Sequence, residues 1–194
     1  MNRGGNILFS GVGGQGILLA SELTAQAVLA AGFDAKKSEV HGMAQRGGSV
    51  EAHLRYGKKV YSPLIEPGKA DILVAFEMME AARYLPFLHR GSVAVVNTQK
   101  IPPPSVALGQ SRYPENILDE LSSAGLRVTP VDAFAVARQV GELKSVNVAM
   151  VGALSIFLEL GEDIFLDVIE RTMKPAFREV NKKAFLAGRA AARA

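Results

Sequence analysis

The sequence predicts a Rossmann-like α/β fold, a mostly parallel sheet with helices on both faces and one added β-hairpin. Three observations predict it. Short, largely apolar segments suited to buried strands alternate with helix-length segments, the pattern of a parallel sheet wrapped by helices. The first strand runs into a G-x-G-x-x-G turn that opens a helix. The chain has 194 residues, 48% hydrophobic and 21% charged, enough to bury one core. A single domain over residues 1–194 is expected.

Each element follows in order. Residues 6–10 are apolar and stop at glycine, as a buried strand would. Residues 17–31 are rich in Ala and Leu and end at Gly32, a helix with a glycine stop. Residues 33–37 alternate as a second strand, and 38–48 read as a loop. Val50, Ala52, Leu54 and Tyr56 share one face of a strand, with Glu51, His53 and Arg55 on the other. Gly57-Lys58 then turns the chain into Lys59-Val60-Tyr61, the expected hairpin. Residues 71–76 and 93–97 are buried strands, with a helix over 78–88 between them. Ile101-Pro102-Pro103-Pro104 forces an extended connection. A helix over 114–124, a strand over 127–132 and a helix over 133–140 follow. Residues 146–160 form an apolar helix, 163–173 an amphipathic one, and Pro175 opens a basic last helix.

Composition removes several function classes. The chain has no Cys, so disulfides, thiol catalysis and cysteine-ligated zinc or iron–sulfur clusters are excluded. His41, His53 and His89 are the only histidines and lack metal-ligand spacing. A net charge of +3, with no Trp and no basic–aromatic interleaving, argues against nucleic acid. Residues 4–21 are uncharged but carry six glycines, a poor signal-peptide core. The other uncharged run, 145–158, is 14 residues, short of the ~20 that cross a bilayer. A cytoplasmic protein without membrane contact is expected. There is no G-x-S-x-G, no Walker lysine and no carboxylate pair on one helix face, and no catalytic residue is assigned.

Two loops carry the functional signal. Gly11, Gly13, Gly14, Gln15 and Gly16 form the first, where glycine permits a tight turn, close approach of an anion and close strand–helix packing. The second half of an NAD site is imperfect: Asp34 comes early in its strand and Lys36 and Lys37 follow it. Two readings of this loop stay open, nucleotide contact and tight packing alone. The second loop, 38–49, places His41, Gln45 and Arg46 beside Gly42, Gly47 and Gly48. After strand two of a parallel sheet it lies at the carboxyl edge, beside the glycine loop, where ligands bind. Arg46 offers a fork to carboxylate or phosphate and His41 a neutral-range proton. An internal ion pair between Arg46 and Glu39, or burial against another subunit, is the plainer alternative.

Together, Phe9-Ser10-Gly11-Val12-Gly13-Gly14-Gln15-Gly16 and His41-Gly42-Met43-Ala44-Gln45-Arg46-Gly47-Gly48-Ser49-Val50 resemble the gamma-type subunit of 2-oxoacid:ferredoxin oxidoreductases. The second motif is most similar to the small subunit of the indolepyruvate type, and the resemblance runs through Val151-Gly152-Ala153-Leu154. It implies a complex that oxidatively decarboxylates an aryl pyruvate to an acyl-CoA and passes electrons to ferredoxin. It implies a large (alpha) partner subunit holding thiamine diphosphate, Mg and [4Fe–4S] clusters. This chain would bind none of these. Its Gly11, Gly13, Gly14, Gln15, Gly16, His41, Gln45, Arg46, Gly47 and Gly48 would face the partner or coenzyme A. With the docking face uncovered, an isolated chain is expected to be able to homodimerise. The competing expectation is a free-standing NAD(P)- or FAD-binding oxidoreductase.

Overall fold

The computed structural model describes residues 4–41 and 48–193. A six-stranded sheet runs in the order β2-β3-β1-β4-β5-β6. Its strands are β1 (Gly5–Val12), β2 (Asp34–His41), β3 (Ser49–Gly57), β4 (Ala70–Ala75), β5 (Leu88–Asn97) and β6 (Arg127–Val131). β1, β4, β5 and β6 pair in parallel. β3 alone runs against them, paired antiparallel with β1 on one side and β2 on the other.

Period-two alternation divides the central strands between two cores. Ile7, Phe9, Ile72, Val74, Val93 and Val95 point to one face, where α1 (Ile17–Ala30), α5 (Ala133–Val140), α6 (Val146–Ser155), α7 (Glu162–Thr172) and α8 (Arg178–Ala191) pack. Leu8, Leu73, Ala75, Ala94 and Val96 point to the other, under α2 (Met78–Arg83) and α4 (Ile117–Ser123). A short helix, α3 (Pro104–Ala107), begins at the last proline of the run. The α/β class with helices on both faces is what the alternation predicts.

The hairpin is elsewhere than expected. β2 extends to His41, well past residue 37, and the hairpin joins β2 to β3 through register pairs from Asp34↔Gly57 to His41↔Val50. Residues 59–61 form no strand. The Val60 N–H instead donates to the Asp34 carboxylate at 2.9 Å, which folds the chain across the open end of the hairpin. Only 33–37 reads as strand in the sequence, because the rest of β2 lies on the sheet edge, where Glu39 and Val40 are exposed and no apolar face marks it. The helix expected over 78–88 stops at Arg83, and Leu85–Phe87 is a single tight turn before β5 begins at Leu88. The apolar helix begun at Val146 stops at Ser155. Pro114 precedes α4 without opening it, and Pro104 starts a helical turn where an extended run was expected. Pro130 sits in β6, the other edge strand, where a missing N–H costs no ladder bond.

α6 and α8 approach closely enough to exclude any side chain at the crossing. A Cβ at Gly152 would lie 2.0 Å from the Phe185 carbonyl oxygen, and one at Gly188 would lie 2.0 Å from the Ala149 oxygen. Gly152→Ala or Gly188→Ala must push the helices apart, and urea unfolding is expected to show a loss of about 2 kcal/mol for each. A change below the error of that measurement would contradict the crossing.

Candidate functional site

The parallel strands end on one edge, and the turn after β1 lies there. Gly16 takes a left-handed conformation (φ 79°) at the start of α1, and a Cβ there would meet Asn147 Nδ2 at 2.4 Å. Gly14 is left-handed too (φ 105°), and a Cβ at Gly11 would lie 2.8 Å from both Gln15 Oε1 and Phe76 Cβ. Three of the glycines are thus required by conformation or crowding within the chain itself.

Gln15 explains the crowding. Its Oε1 accepts from the Val12 N–H at 2.7 Å, and its Nε2 donates to the Phe76 carbonyl at 2.8 Å and to Gln99 Oε1 at 3.2 Å. The Gly13 N–H donates to the Gly48 carbonyl at 2.8 Å. Asn97, fully buried at the end of β5, donates to the same Phe76 carbonyl at 3.0 Å and accepts from the Ala133 N–H at 3.2 Å. Asn147 stands at the start of α6 against the first turn of α1, with Nδ2 3.5 Å from the Gly16 carbonyl. The crevice where a dinucleotide would place its pyrophosphate is therefore filled by the chain's own amides.

Beside this turn lies an open groove of about 730 Å³. Its apolar wall is Ile101, Pro102, Pro103, Pro104, Ala107 and Leu108, and its opposite side carries Ser49, Glu77, Met79, Glu80 and Arg83, with Val12 at the floor. Leu108 is 72% exposed, an unusual outlay of apolar surface. Two buried carboxylates frame the groove. Glu77 caps α2 by accepting from the Glu80 N–H at 3.0 Å, and also accepts from the Ile101 N–H at 2.9 Å and from the Tyr113 hydroxyl. Tyr113 in turn accepts from the Met79 N–H at 3.0 Å. Burial, and then the Glu77 carboxylate, push the Tyr113 phenol well above its usual range, so it stays a donor. Glu80 accepts from the Ser49 hydroxyl and from Arg83 Nε, the latter at 2.9 Å. Tyr84, also pushed up by burial and by the Glu51 carboxylate beside it, stands 3.3 Å from Ser49 Oγ.

Of the residues the sequence singles out, the structure brings Gly11, Gly13, Gly14, Gln15, Gly16 and Gly48 together at this edge. The His41 side chain and Gln45, Arg46 and Gly47 lie outside the described residues. Glu77, Glu80 and Tyr113 were not singled out, because Glu77-Met78-Met79-Glu80 reads as a solvated helix start. A second cavity, about 430 Å³ between residues 4–7, Tyr56 and 156–160, opens at the opposite ends of the strands, away from the glycine turn. Among the described residues no group of His, Asp or Glu is arranged to hold a metal ion, and no helix is long and apolar enough to cross a membrane.

Comparison with known proteins adds four findings. The family model described as pyruvate ferredoxin/flavodoxin oxidoreductase matches residues 6–191. A protein of Archaeoglobus fulgidus, named indolepyruvate oxidoreductase subunit IorB, is 43% identical over 187 residues, covering 94% of this chain and 92% of its own. The crystal structure of a keto/oxoacid ferredoxin oxidoreductase gamma subunit from Geobacter sulfurreducens superposes with a TM-score of 0.73 at 24% identity, over 97% of this chain and 98% of that one. The structure of 2-oxoglutarate:ferredoxin oxidoreductase from Magnetococcus marinus, with 2-oxoglutarate, coenzyme A and succinyl-CoA bound, superposes with a TM-score of 0.78 at 20% identity. That match takes in 100% of this chain and 32% of the other, so a chain of this fold is one part of a longer polypeptide there. At these identities the structural matches speak for fold.

Gln15→Ala removes the side-chain acceptor of the Val12 N–H, and is expected to cost about 1–3 kcal/mol in urea unfolding. Fluorescence titration of the wild-type chain with NADH is expected to give a dissociation constant no tighter than about 1 mM. Micromolar NADH binding would overturn the filled-crevice reading.

Proposed function

The chain belongs to the pyruvate ferredoxin/flavodoxin oxidoreductase family, and on that premise we propose that the carboxyl edge of its sheet is the face it gives to a larger catalytic subunit. It is a subunit of a 2-oxoacid:ferredoxin oxidoreductase complex of the indolepyruvate type. A free-standing dinucleotide oxidoreductase is not favoured. The observation that carries the proposal is the juxtaposition of the self-satisfied turn at Gln15 with the exposed groove at Leu108.

In this reading the work is divided. Thiamine diphosphate, Mg and the [4Fe–4S] clusters belong to the large subunit, which decarboxylates the aryl pyruvate and sends electrons to ferredoxin. The absence of Cys supports this, since thiolate ligation of a cluster has no residue here. This chain supplies a rigid edge. Gly11, Gly13, Gly14, Gln15, Gly16 and Gly48 face the partner. Coenzyme A, the acyl acceptor, is assigned to the groove, whose apolar wall suits the arm that carries the thiol. Arg83, with its side chain half exposed at the rim, has its charge paired with the Glu80 carboxylate. Without the partner, the same apolar wall is the surface through which isolated chains would pair.

Co-expression with the large subunit tests this. The two chains are expected to co-purify, and indolepyruvate-dependent reduction of ferredoxin is expected to require both. A large subunit that works at full rate alone would refute the reading. Leu108→Glu, which buries a charge if the wall is covered, is expected to weaken assembly by about 2 kcal/mol, roughly 30-fold in dissociation constant. Unchanged assembly by this variant would remove the groove from the interface.

A further inference from the structure

Glu80 is only 5% exposed, yet it stands at the groove and not in the core. A buried carboxylate is costly, and it is tolerated where its oxygens are fully engaged. Both of its oxygens are engaged here: Oε2 takes the Ser49 hydroxyl and Oε1 takes Arg83 Nε. Ser49 is the first residue of β3 and pairs with Val12, the last of β1. The residue before it, Gly48, gives its carbonyl to the Gly13 N–H at 2.8 Å. One hydrogen bond from α2 is thus relayed through two residues to the glycine turn. Val12, Ser49 and Glu80 all line the groove, so this relay holds part of its lining in place.

We propose that Glu80 is a positioning residue, which through Ser49 and Gly48 fixes the glycine turn and the groove floor in the geometry that takes the acyl acceptor. The proposal rests on the assignment of coenzyme A to the groove. α2 is suited to this role because its own start is fixed twice over, by the Glu77 cap and by the Tyr113 bond to Glu77. The anchor end of the relay is therefore the stiffer one. Release of the Ser49 end is expected to loosen Gly48 and Gly13, not α2.

The test uses the assembled complex, saturated with this chain. Ser49→Ala and Glu80→Ala are each expected to raise the KM for coenzyme A about tenfold, with kcat falling less than about threefold. Ser49→Thr keeps the hydroxyl and Glu80→Gln keeps an acceptor oxygen, and both are expected to stay within about threefold of wild type. The double variant Ser49→Ala with Glu80→Ala is expected to be no worse than the worse single one, because the two act through one bond. Loss of folded chain would instead lower kcat and leave KM alone, and that result would overturn the proposal. So would additive effects, or a wild-type KM in Ser49→Ala. Where the wild-type chain itself leaves the complex's rate unchanged, the underlying reading fails before the relay is tested.

Discussion

The side chain of Gln15 lies where the fold would otherwise admit a ligand. A glycine turn between a parallel strand and a helix leaves backbone N–H groups and a favourable dipole facing outward, an arrangement that takes phosphate elsewhere. Here the amide reaches back to Val12 and across to Phe76, tying the ends of β1 and β4 together. Gly11 is small because that amide lies against it, and Gly16 because Asn147 does. The glycines serve packing within the chain. The turn that results has its polar groups engaged within the chain, which suits contact with another protein surface more than the cradling of a dinucleotide.

The antiparallel β3 strand gives the edge its second half. Inserted between β1 and β2, it brings residues 48 and 49 directly beside the glycine turn, joined by the Gly13–Gly48 bond. From there the polar chain continues to Glu80 and Arg83 on α2, while Glu77 and Tyr113 hold the proline segment as the facing wall. The groove is thus bounded by elements remote in sequence, each fixed by a buried carboxylate. Kinetic and assembly effects would then arise at residues that touch no reacting atom.

Much of this was legible in sequence for a physical reason. Strands buried on both faces, such as Ile72-Leu73-Val74, announce themselves as unbroken apolar runs, and the glycine stop at Gly32 ends α1 wherever α1 packs. The double motif carried the family. What stayed illegible depends on tertiary partners. The second half of β2 has no apolar face to read, and that half, which looks like a loop, carries the pairing with β3 on to Val50. Gln15 reads as a filler in G-x-G-x-x-G until its amide is seen between two strands. Glu77 and Glu80 read as solvent residues, because nothing local records that Ser49 and Tyr113 arrive from 31 and 36 residues away to bury them.

The central claim is that the edge around Gln15 and Ser49 is a protein interface. Hydrogen–deuterium exchange of this chain, alone and with its large subunit, tests it most directly. Added protection on assembly is predicted at residues 11–16, at Ser49, at Ile101 and along 105–108. Protection confined to the opposite ends of the strands, around Gly4, Tyr56 and Phe157, would contradict it.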